Sequence, residues 1–448
     1  MSTKLTKQLL LLLFLSSTML AQNSGKKDWT EQNWGLGLAF RNATIPFSTE
    51  DNSVMSVVPM IFYETDLFYL HGFEYGIKLY RTGDWLFSAM GRRHFFDAPK
   101  DVQNVIQGDN IDFGLQARYS LPYSLYIAGE IMSDIIVTDD VWRGNPSMNL
   151  RLVHQMGRKG MYFEPYFELK FKSSKYNSWY YGLNQVDVDG GVAMALGFIA
   201  NYRVISNFYL FGAGKFTVLD GSVRGVNIPV NGSNVSVNSD THTEVYFGFG
   251  FSNDESKPRK TKLRNAAYWR LGQGFATPST LAEIMRFDSV PDTNNNKLTS
   301  IFYGHPLTDE LFGIPLEVYI SPGFTWHWKS DVQPNSFELN LAIKLYYTIK
   351  WPIRWRLGAA EGVSWVNKIP YMEANSLADK EYVPSNLMNF LDFSVDVNIG
   401  DIVGSEPMKQ WWIGYYIHHR SSIFESAQHF GRISGGSNYN TIYLLWNY

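Results

Sequence analysis

The 448-residue chain contains no cysteine. That absence excludes thiol catalysis, disulfide scaffolds, zinc sites with cysteine ligands and an N-terminal lipoprotein anchor, because each of them needs a sulfhydryl group. Only histidine, aspartate and glutamate remain as candidate metal ligands.

An excess of charge of either sign is also absent. Lys and Arg total 39, Asp and Glu total 42, and the net charge is -3. Binding to nucleic acid is therefore not expected, since it needs a strongly basic face. Charged residues make up 18% of the chain, while aromatic residues reach 16% and hydrophobic residues 45%, a composition that excludes disorder.

Long apolar runs that could form a transmembrane helix are missing too. Residues 1–21 are predicted to be a signal peptide, in which Lys4 and Lys7 precede the apolar run Leu9–Leu15 and Ala21 ends the segment. That run is too short to span a bilayer as a helix, and no later run approaches about 18 residues. An exported soluble β-protein and an outer-membrane β-barrel both remain, because barrel strands carry a weak hydropathy signal.

Alternation of apolar and polar residues favours the barrel. The alternating segments are 9 to 11 residues long, are rich in aromatic residues near their ends, and include a final segment, Ile442–Tyr448, that ends on an aromatic residue. We therefore predict an all-β fold of antiparallel transmembrane β-barrels in two consecutive units. Six apolar side chains should face lipid: Phe163, Phe167, Leu339, Leu341, Phe393 and Val395.

A basic segment divides the two predicted units. Residues 253–265 follow the aromatic segment Thr243–Phe251 and contain five cations between Lys257 and Arg264. A solvated linker is favoured over a contact with lipid or peptidoglycan. The predicted units are residues 22–252, with roughly 10 to 12 strands, and residues 266–448, with about 8 strands. Their lengths are compatible with two separate barrels or with one shared barrel.

Two motifs in the N-terminal half carry a resemblance to a known family. Val57–Gly76 (VVPMIFYETDLFYLHGFEYG) and Trp179–Gly182 (WYYG), the latter followed by Gly197–Asp220, resemble the MipA/OmpV outer-membrane proteins. The resemblance covers residues 33–252. Val226–Gly232 (VNIPVNG) departs from it, since the family usually has a short Ser-Pro segment there. The resemblance implies a barrel linked to scaffolding of periplasmic cell-wall enzymes and to envelope permeability, without catalytic residues.

A group of candidate catalytic residues lies near the C-terminus. One face of a strand is predicted by parity to contain six residues, of which the first four are apolar and indicate that this face meets lipid: Trp411, Ile413, Tyr415, Ile417, His419 and Ser421. If the C-terminus is periplasmic, His419 and Ser421 lie near the outer leaflet. His418 points to the opposite face, so the two adjacent histidines do not form a metal site. No metal or cofactor is predicted.

The predicted partner strand adds an amide to this group. Pairing Trp411 with Tyr448 places His419 opposite Asn440 and Ser421 opposite Asn438. A serine, an imidazole and a group that orients the imidazole are the components of nucleophilic acyl transfer.

The last two strands also resemble lipid A deacylases of the PagL type. His419 and Ser421 (HRS) match the His-x-Ser motif of that family, and Asn440 stands where the family carries a carboxylate. Ser422 replaces the asparagine that usually follows the serine. The resemblance implies hydrolysis of a lipid A acyl ester, with Ser421 as nucleophile, His419 as general base, and Asn440 or Glu425 orienting the histidine.

Alternatives without catalysis remain open. Polar residues at the rim of a barrel often only solvate the surface, and Arg420 and Arg432 fit either solvation or contacts with lipopolysaccharide phosphates. The rival to the hydrolase is a non-catalytic scaffold for cell-wall enzymes or a small outer-membrane channel. The expected partners are lipopolysaccharide and, for the scaffold, periplasmic cell-wall enzymes.

Overall fold

The computed structural model describes residues 33–48, 52–97, 110–134, 136–138, 141–158, 160–230, 233–254, 256–260, 262–378, 384–421 and 436–448. The predicted signal peptide, Glu425 and Arg432 lie outside these residues.

The described residues form two groups of β-strands. The first group is β1 (Asn33–Thr44), β2 (Ser53–Glu64), β3 (Phe68–His71), β4 (Glu74–Thr82), β5 (Trp85–His94), β6 (Asn110–Leu121), β7 (Leu125–Asp134), β8 (Ile136–Thr138), β9 (Val141–Arg143), β10 (Pro146–His154), β11 (Met156–Arg158), β12 (Met161–Lys172), β13 (Gly191–Ile205), β14 (Phe208–Val218), β15 (Asn227–Val230), β16 (Ser233–Ser236) and β17 (Thr241–Ser252). The second group is β18 (Tyr268–Thr277), β19 (Lys297–Thr308), β20 (Leu316–His327), β21 (Ser336–Ile349), β22 (Trp355–Val366), β23 (Leu387–Asn398), β24 (Trp411–Ser421) and β25 (Gly436–Asn447).

Short helices occupy connections between strands. They are α1 (Ser174–Tyr180), α2 (Leu281–Met285), α3 (Tyr371–Ala378), α4 (Ile399–Val403) and a 3-10 helix at Glu406–Gln410. In the described part of the chain, no helix combines the length and the apolar character needed to cross a membrane.

Each group of strands closes into an antiparallel barrel. The N-terminal barrel has 12 strands and closes through the pairings of β1 with β17 and of β10 with β12, while β8–β9 and β15–β16 form separate hairpins. The C-terminal barrel has 8 strands and closes through β18 and β25. The predicted all-β fold with two barrel units is confirmed, and both strand numbers lie within the predicted ranges.

The side chains predicted to face lipid lie on the outward faces. Phe167, Leu339 and Val395 are exposed, whereas Phe163, Leu341 and Phe393 are partly covered. Their polar neighbours in sequence point inward, as Glu168 does in the N-terminal barrel, where it forms an ion pair with Lys215. Apolar outward faces with charged interiors are the pattern of membrane barrels.

The interior of the C-terminal barrel is filled with paired charges and aromatic rings. Asp392 forms ion pairs with both Arg270 and Lys344, and Asp396 forms an ion pair with Arg356. All five side chains are at most 2% exposed. An 8-stranded barrel is just wide enough for its side chains to fill the interior, so this barrel is a packed scaffold for residues on its outer surface.

The two barrels contact each other through their outward faces. Trp34 and Tyr63 of the N-terminal barrel lie in one buried apolar cluster with Val318 and Ile320 of the C-terminal barrel. The connecting segment contains no strand among its described residues between Ser252 and Tyr268.

The connecting segment is held by ion pairs to the turn after β19. Lys260 and Arg264 both contact Asp309, and Lys257 contacts Glu310 with Nζ 3.0 Å from Oε1. Burial alone would raise the pKa of Asp309, but the hydrogen bonds from Lys260 and Arg264 hold the pKa below its ordinary value. Three of the five cations of this segment are therefore engaged by the C-terminal barrel.

Loop length assigns the two ends of the C-terminal barrel. The end that contains Tyr448 has turns at 309–315, 350–354 and 399–410, whereas the opposite end has connections at 278–296, 328–335, 367–386 and 422–435. The two longest connections, 278–296 and 367–386, both lie at the end opposite Tyr448. Because bacterial barrels have short periplasmic turns and longer extracellular loops, the end of β24 at Ser421 is the extracellular end.

Candidate active site

Strand β24 places His419 and Ser421 on the outward face of the C-terminal barrel. Its alternate residues point into the interior, where His418 Nε2 lies 3.1 Å from both carboxylate oxygens of Glu338. His327 Nε2 contacts the same carboxylate at 2.9 Å. Since His418 is fixed inward, His419 must point outward, as the parity of the sequence predicts.

The pairing of β24 with β25 differs from the predicted register by two residues. Trp411 lies opposite Trp446 rather than Tyr448, so His419 lies opposite Asn438 and Ser421 lies opposite Gly436. The rings of Trp411 and Trp446, which are directly opposed in the observed register, stack with centroids 6.0 Å apart. Because the shift is an even number of residues, every side chain keeps its predicted face.

Asn438 replaces Asn440 as the partner of His419. Its Oδ1 forms a hydrogen bond with His419 Nδ1, and its Nδ2 donates to the backbone carbonyl of Ser279 at 2.8 Å. A carbonyl can only accept, so the Ser279 contact fixes which end of the amide faces the histidine. Asn438 Oδ1 must then accept a hydrogen bond from the Nδ1–H of His419, which leaves Nε2 as the basic nitrogen of the neutral ring. This is the tautomer that a general base for a serine requires.

Asn440 has a different role from the predicted one. It lies opposite Ile417, accepts a hydrogen bond from the Tyr415 hydroxyl at 2.6 Å, and donates to Ser289 Oγ at 2.7 Å. Ser289 belongs to the loop 278–296, so Asn440 holds this loop against the outward face. The prediction that Asn440 orients His419 is wrong, because in the observed register Asn440 lies opposite Ile417, two residues along the strand from the position opposite His419.

Ser421 ends the strand beside the histidine. It is half-buried, and the cross-strand residues on its two sides are Asn389 on β23 and Gly436 on β25. The Cα atoms of His419 and Ser421 are about 7 Å apart along the strand. In the described structure the Ser421 hydroxyl makes no hydrogen bond to the His419 ring, and a rotamer change would be needed to bring the two side chains together.

Arg420 does not face lipid. Its guanidinium is fully buried and points into the barrel, where Nε donates to Glu373 Oε2 at 3.0 Å and Nη1 donates to the Ser364 carbonyl at 3.1 Å. The predicted contact between Arg420 and lipid phosphate is contradicted, because the next residue after an outward histidine points inward. The predicted roles of Glu425 and Arg432 concern residues outside the described part of the chain.

A comparison with protein families finds a match within the N-terminal barrel. Residues 34–226 match the model of the family described as MltA-interacting protein MipA. A comparison with curated proteins finds no match.

Solved structures of outer-membrane barrels show distant likenesses. CdiB from Acinetobacter baumannii is 10% identical with a TM-score of 0.27, and the match covers 93% of this chain and 60% of CdiB. OprB from Pseudomonas putida is 7% identical with a TM-score of 0.25 and coverages of 93% and 94%. LpxR from Salmonella typhimurium is 8% identical with a TM-score of 0.18 and coverages of 67% and 88%. At these TM-scores the likenesses do not distinguish one barrel function from another.

The family match and the closed 12-stranded barrel that contains it confirm the resemblance found in the N-terminal sequence. The chain folds as two barrels of the outer-membrane type, and residues 34–226 of the N-terminal barrel are similar to the MipA family.

Proposed function

We propose that the C-terminal barrel is an acyl-ester hydrolase whose substrate is lipid A of the outer leaflet. The observation that carries the proposal is the hydrogen bond from His419 Nδ1 to Asn438 Oδ1, on the outward face and two residues from Ser421. A histidine that served only to solvate the rim would not need a partner that fixes its tautomer. The resemblance of the His-x-Ser segment to PagL-type deacylases agrees with this assignment.

The proposed reaction divides into two steps. Ser421 Oγ attacks the ester carbonyl of an acyl chain, and His419 Nε2 takes the hydroxyl proton and then gives it to the departing alcohol oxygen. The acyl-serine is then attacked by water, whose proton passes to His419 and then to Ser421 as the fatty acid leaves. Asn438 keeps the ring in the required tautomer throughout. An amide does not stabilise the imidazolium as a carboxylate does, so we expect slower turnover than in a site with aspartate or glutamate.

The position of the site supports a lipid substrate. Ser421 and His419 lie on the outward face at the extracellular end of β24, and the same face continues toward the periplasm as Ile417, Tyr415 and Ile413. A lipid molecule lying against this face would place its acyl chains along the apolar residues and its ester bonds near the serine.

Release of fatty acid from purified lipid A tests this proposal. The wild-type protein in detergent micelles should release free fatty acid, and Ser421→Ala should lower the rate by several orders of magnitude. Ser437→Ala is the matched control, because Ser437 lies near the same end of the barrel but is buried in the interior. Equal release by wild type and Ser421→Ala would reject Ser421 as the nucleophile.

A non-catalytic scaffold is the second candidate, and the N-terminal barrel favours it. Its family description names an interaction with MltA. Its interior contains a cavity of about 1160 Å³ lined by charged and aromatic side chains. Tyr180 of α1 stacks on His94 with centroids 4.1 Å apart and donates a hydrogen bond to Asp134, which favours a closed scaffold over an open channel.

Co-purification and conductance separate these alternatives. A scaffold should retain MltA on the immobilised full-length protein and should conduct no ions in planar bilayers. Steady single-channel conductance would instead indicate a channel. Fatty-acid release in the assay above is independent of both results, because it reports on the C-terminal barrel.

A further inference from the structure

A third polar side chain lies beside Ser421. Asn389 on β23 is directly opposite Ser421 and shares its outward face, since the adjacent residue Phe390 points into the interior. Directly opposed Cβ atoms are about 4.5–5.5 Å apart, within reach of one group bound between the two side chains. The Asn389 side chain is 0% exposed.

The amide of Asn389 has no hydrogen-bond partner among the described residues. Both Oδ1 and Nδ2 are buried and make no hydrogen bond within the described part of the chain. The other two asparagines of this face, Asn438 and Asn440, use both ends of their amides. A buried amide without hydrogen bonds is destabilising, so a ligand that completes its hydrogen bonds would account for its place next to Ser421.

We propose that Asn389 Nδ2 is the oxyanion donor of the Ser421 site, an inference that rests on the proposed hydrolase function. When Ser421 Oγ bonds to the ester carbon, the carbonyl electron pair moves onto its oxygen, and Asn389 donates to that oxygen. When the oxyanion collapses, the C=O bond re-forms, the bond to the alcohol oxygen breaks, and His419 supplies the proton.

The arrangement of the three strands suits this division of roles. The histidine and its orienting amide lie on the β24–β25 side, whereas Asn389 lies on the β23 side of Ser421. Gly436 has no side chain to occupy the remaining flank. The base and the oxyanion donor thus approach the serine from different sides.

The test compares Asn389→Leu, Asn389→Gln and the wild type by fatty-acid release from lipid A. Asn389→Leu keeps the shape but removes the donor, so kcat should fall by about 10²–10³ while KM changes little. Asn389→Gln keeps a donor and should recover part of the lost rate. Val395→Ala is the control, since Val395 lies on the outward face of the same strand toward its periplasmic end.

Stability separates a catalytic role from a structural one. Because Asn389→Leu removes an amide that has no partner, its midpoint of unfolding in urea should stay the same or rise. A lower kcat with a lower unfolding midpoint, or a loss that appears entirely in KM, would overturn the oxyanion role. Activity of Asn389→Leu within twofold of wild type, with Ser421→Ala inactive, would overturn this inference alone. A wild-type protein without release would overturn the hydrolase function together with it.

Discussion

Glu373→Gln is expected to be among the most destabilising single substitutions in the C-terminal barrel. Glu373 lies on α3, in the loop between β22 and β23, and its carboxylate neutralises the guanidinium of Arg420 inside the barrel. Both side chains are 0% exposed. Among the described residues, the other hydrogen-bond acceptors of Arg420 are oxygen atoms without formal charge, namely those of Ser364 and the carbonyls of Ser385 and Asn386. Removing one partner of a buried ion pair leaves an uncompensated charge and costs about 3–5 kcal/mol.

The free energy of unfolding in urea, measured in lipid vesicles, checks this value. A double variant, Arg420→Met with Glu373→Leu, removes both charges and should be closer to wild type than either single variant. A loss below about 1 kcal/mol for Glu373→Gln would refute the assignment of Arg420 as an interior structural residue, because that range is typical of exposed ion pairs. That result would instead be consistent with an exposed Arg420 that contacts lipid phosphate.

Two further substitutions test the site and the connecting segment. Asn438→Ala should lower kcat for fatty-acid release by about 10²–10⁴, because His419 loses the acceptor that fixes its tautomer, and unchanged kcat would contradict the assigned tautomer. Asp309→Asn should speed tryptic cleavage after Lys260 and Arg264 at neutral pH, as followed by mass spectrometry of the fragments. The lowered pKa of Asp309 means that its ion pairs stabilise the fold above its ordinary pKa and lose this effect as the pH falls below it. Hydrogen exchange of residues 256–260, corrected for intrinsic rates, should therefore show more protection at pH 7 than at pH 3.

The faces of the strands could be predicted from the sequence because side chains alternate with a period of two. That period assigned Leu339 and Val395 to the lipid face and His419 to the outside of the barrel. Strand count followed from chain length, because a strand and its turn use about 20 residues.

The register could not be predicted in the same way. A shift of two residues leaves every side chain on the same face, so the alternation is equally consistent with Asn438 or Asn440 opposite His419. In the structure Trp411 stacks on Trp446. The sequence offers two aromatic partners for Trp411, Trp446 and Tyr448, which lie two residues apart on the same face, so it does not indicate which of them is paired.

Contacts between loop residues and strand residues also could not be predicted from the sequence. Glu373 lies 47 residues before Arg420, and Ser279 lies 159 residues before Asn438. Neither spacing has a periodicity that would indicate a contact. Asn389 falls within an alternating strand, where a single polar residue gave no signal until the pairing with Ser421 was established.

Mass spectrometry of lipid A is the most direct test of the central claim that this barrel hydrolyses outer-leaflet lipid. Outer membranes would be compared from cells that lack the protein, cells that carry the wild type, and cells that carry Ser421→Ala at equal abundance. We predict a lipid A species that lacks one acyl chain only with the wild type. Identical lipid A in all three strains, with the protein folded in the outer membrane, would contradict the hydrolase function and favour the scaffold.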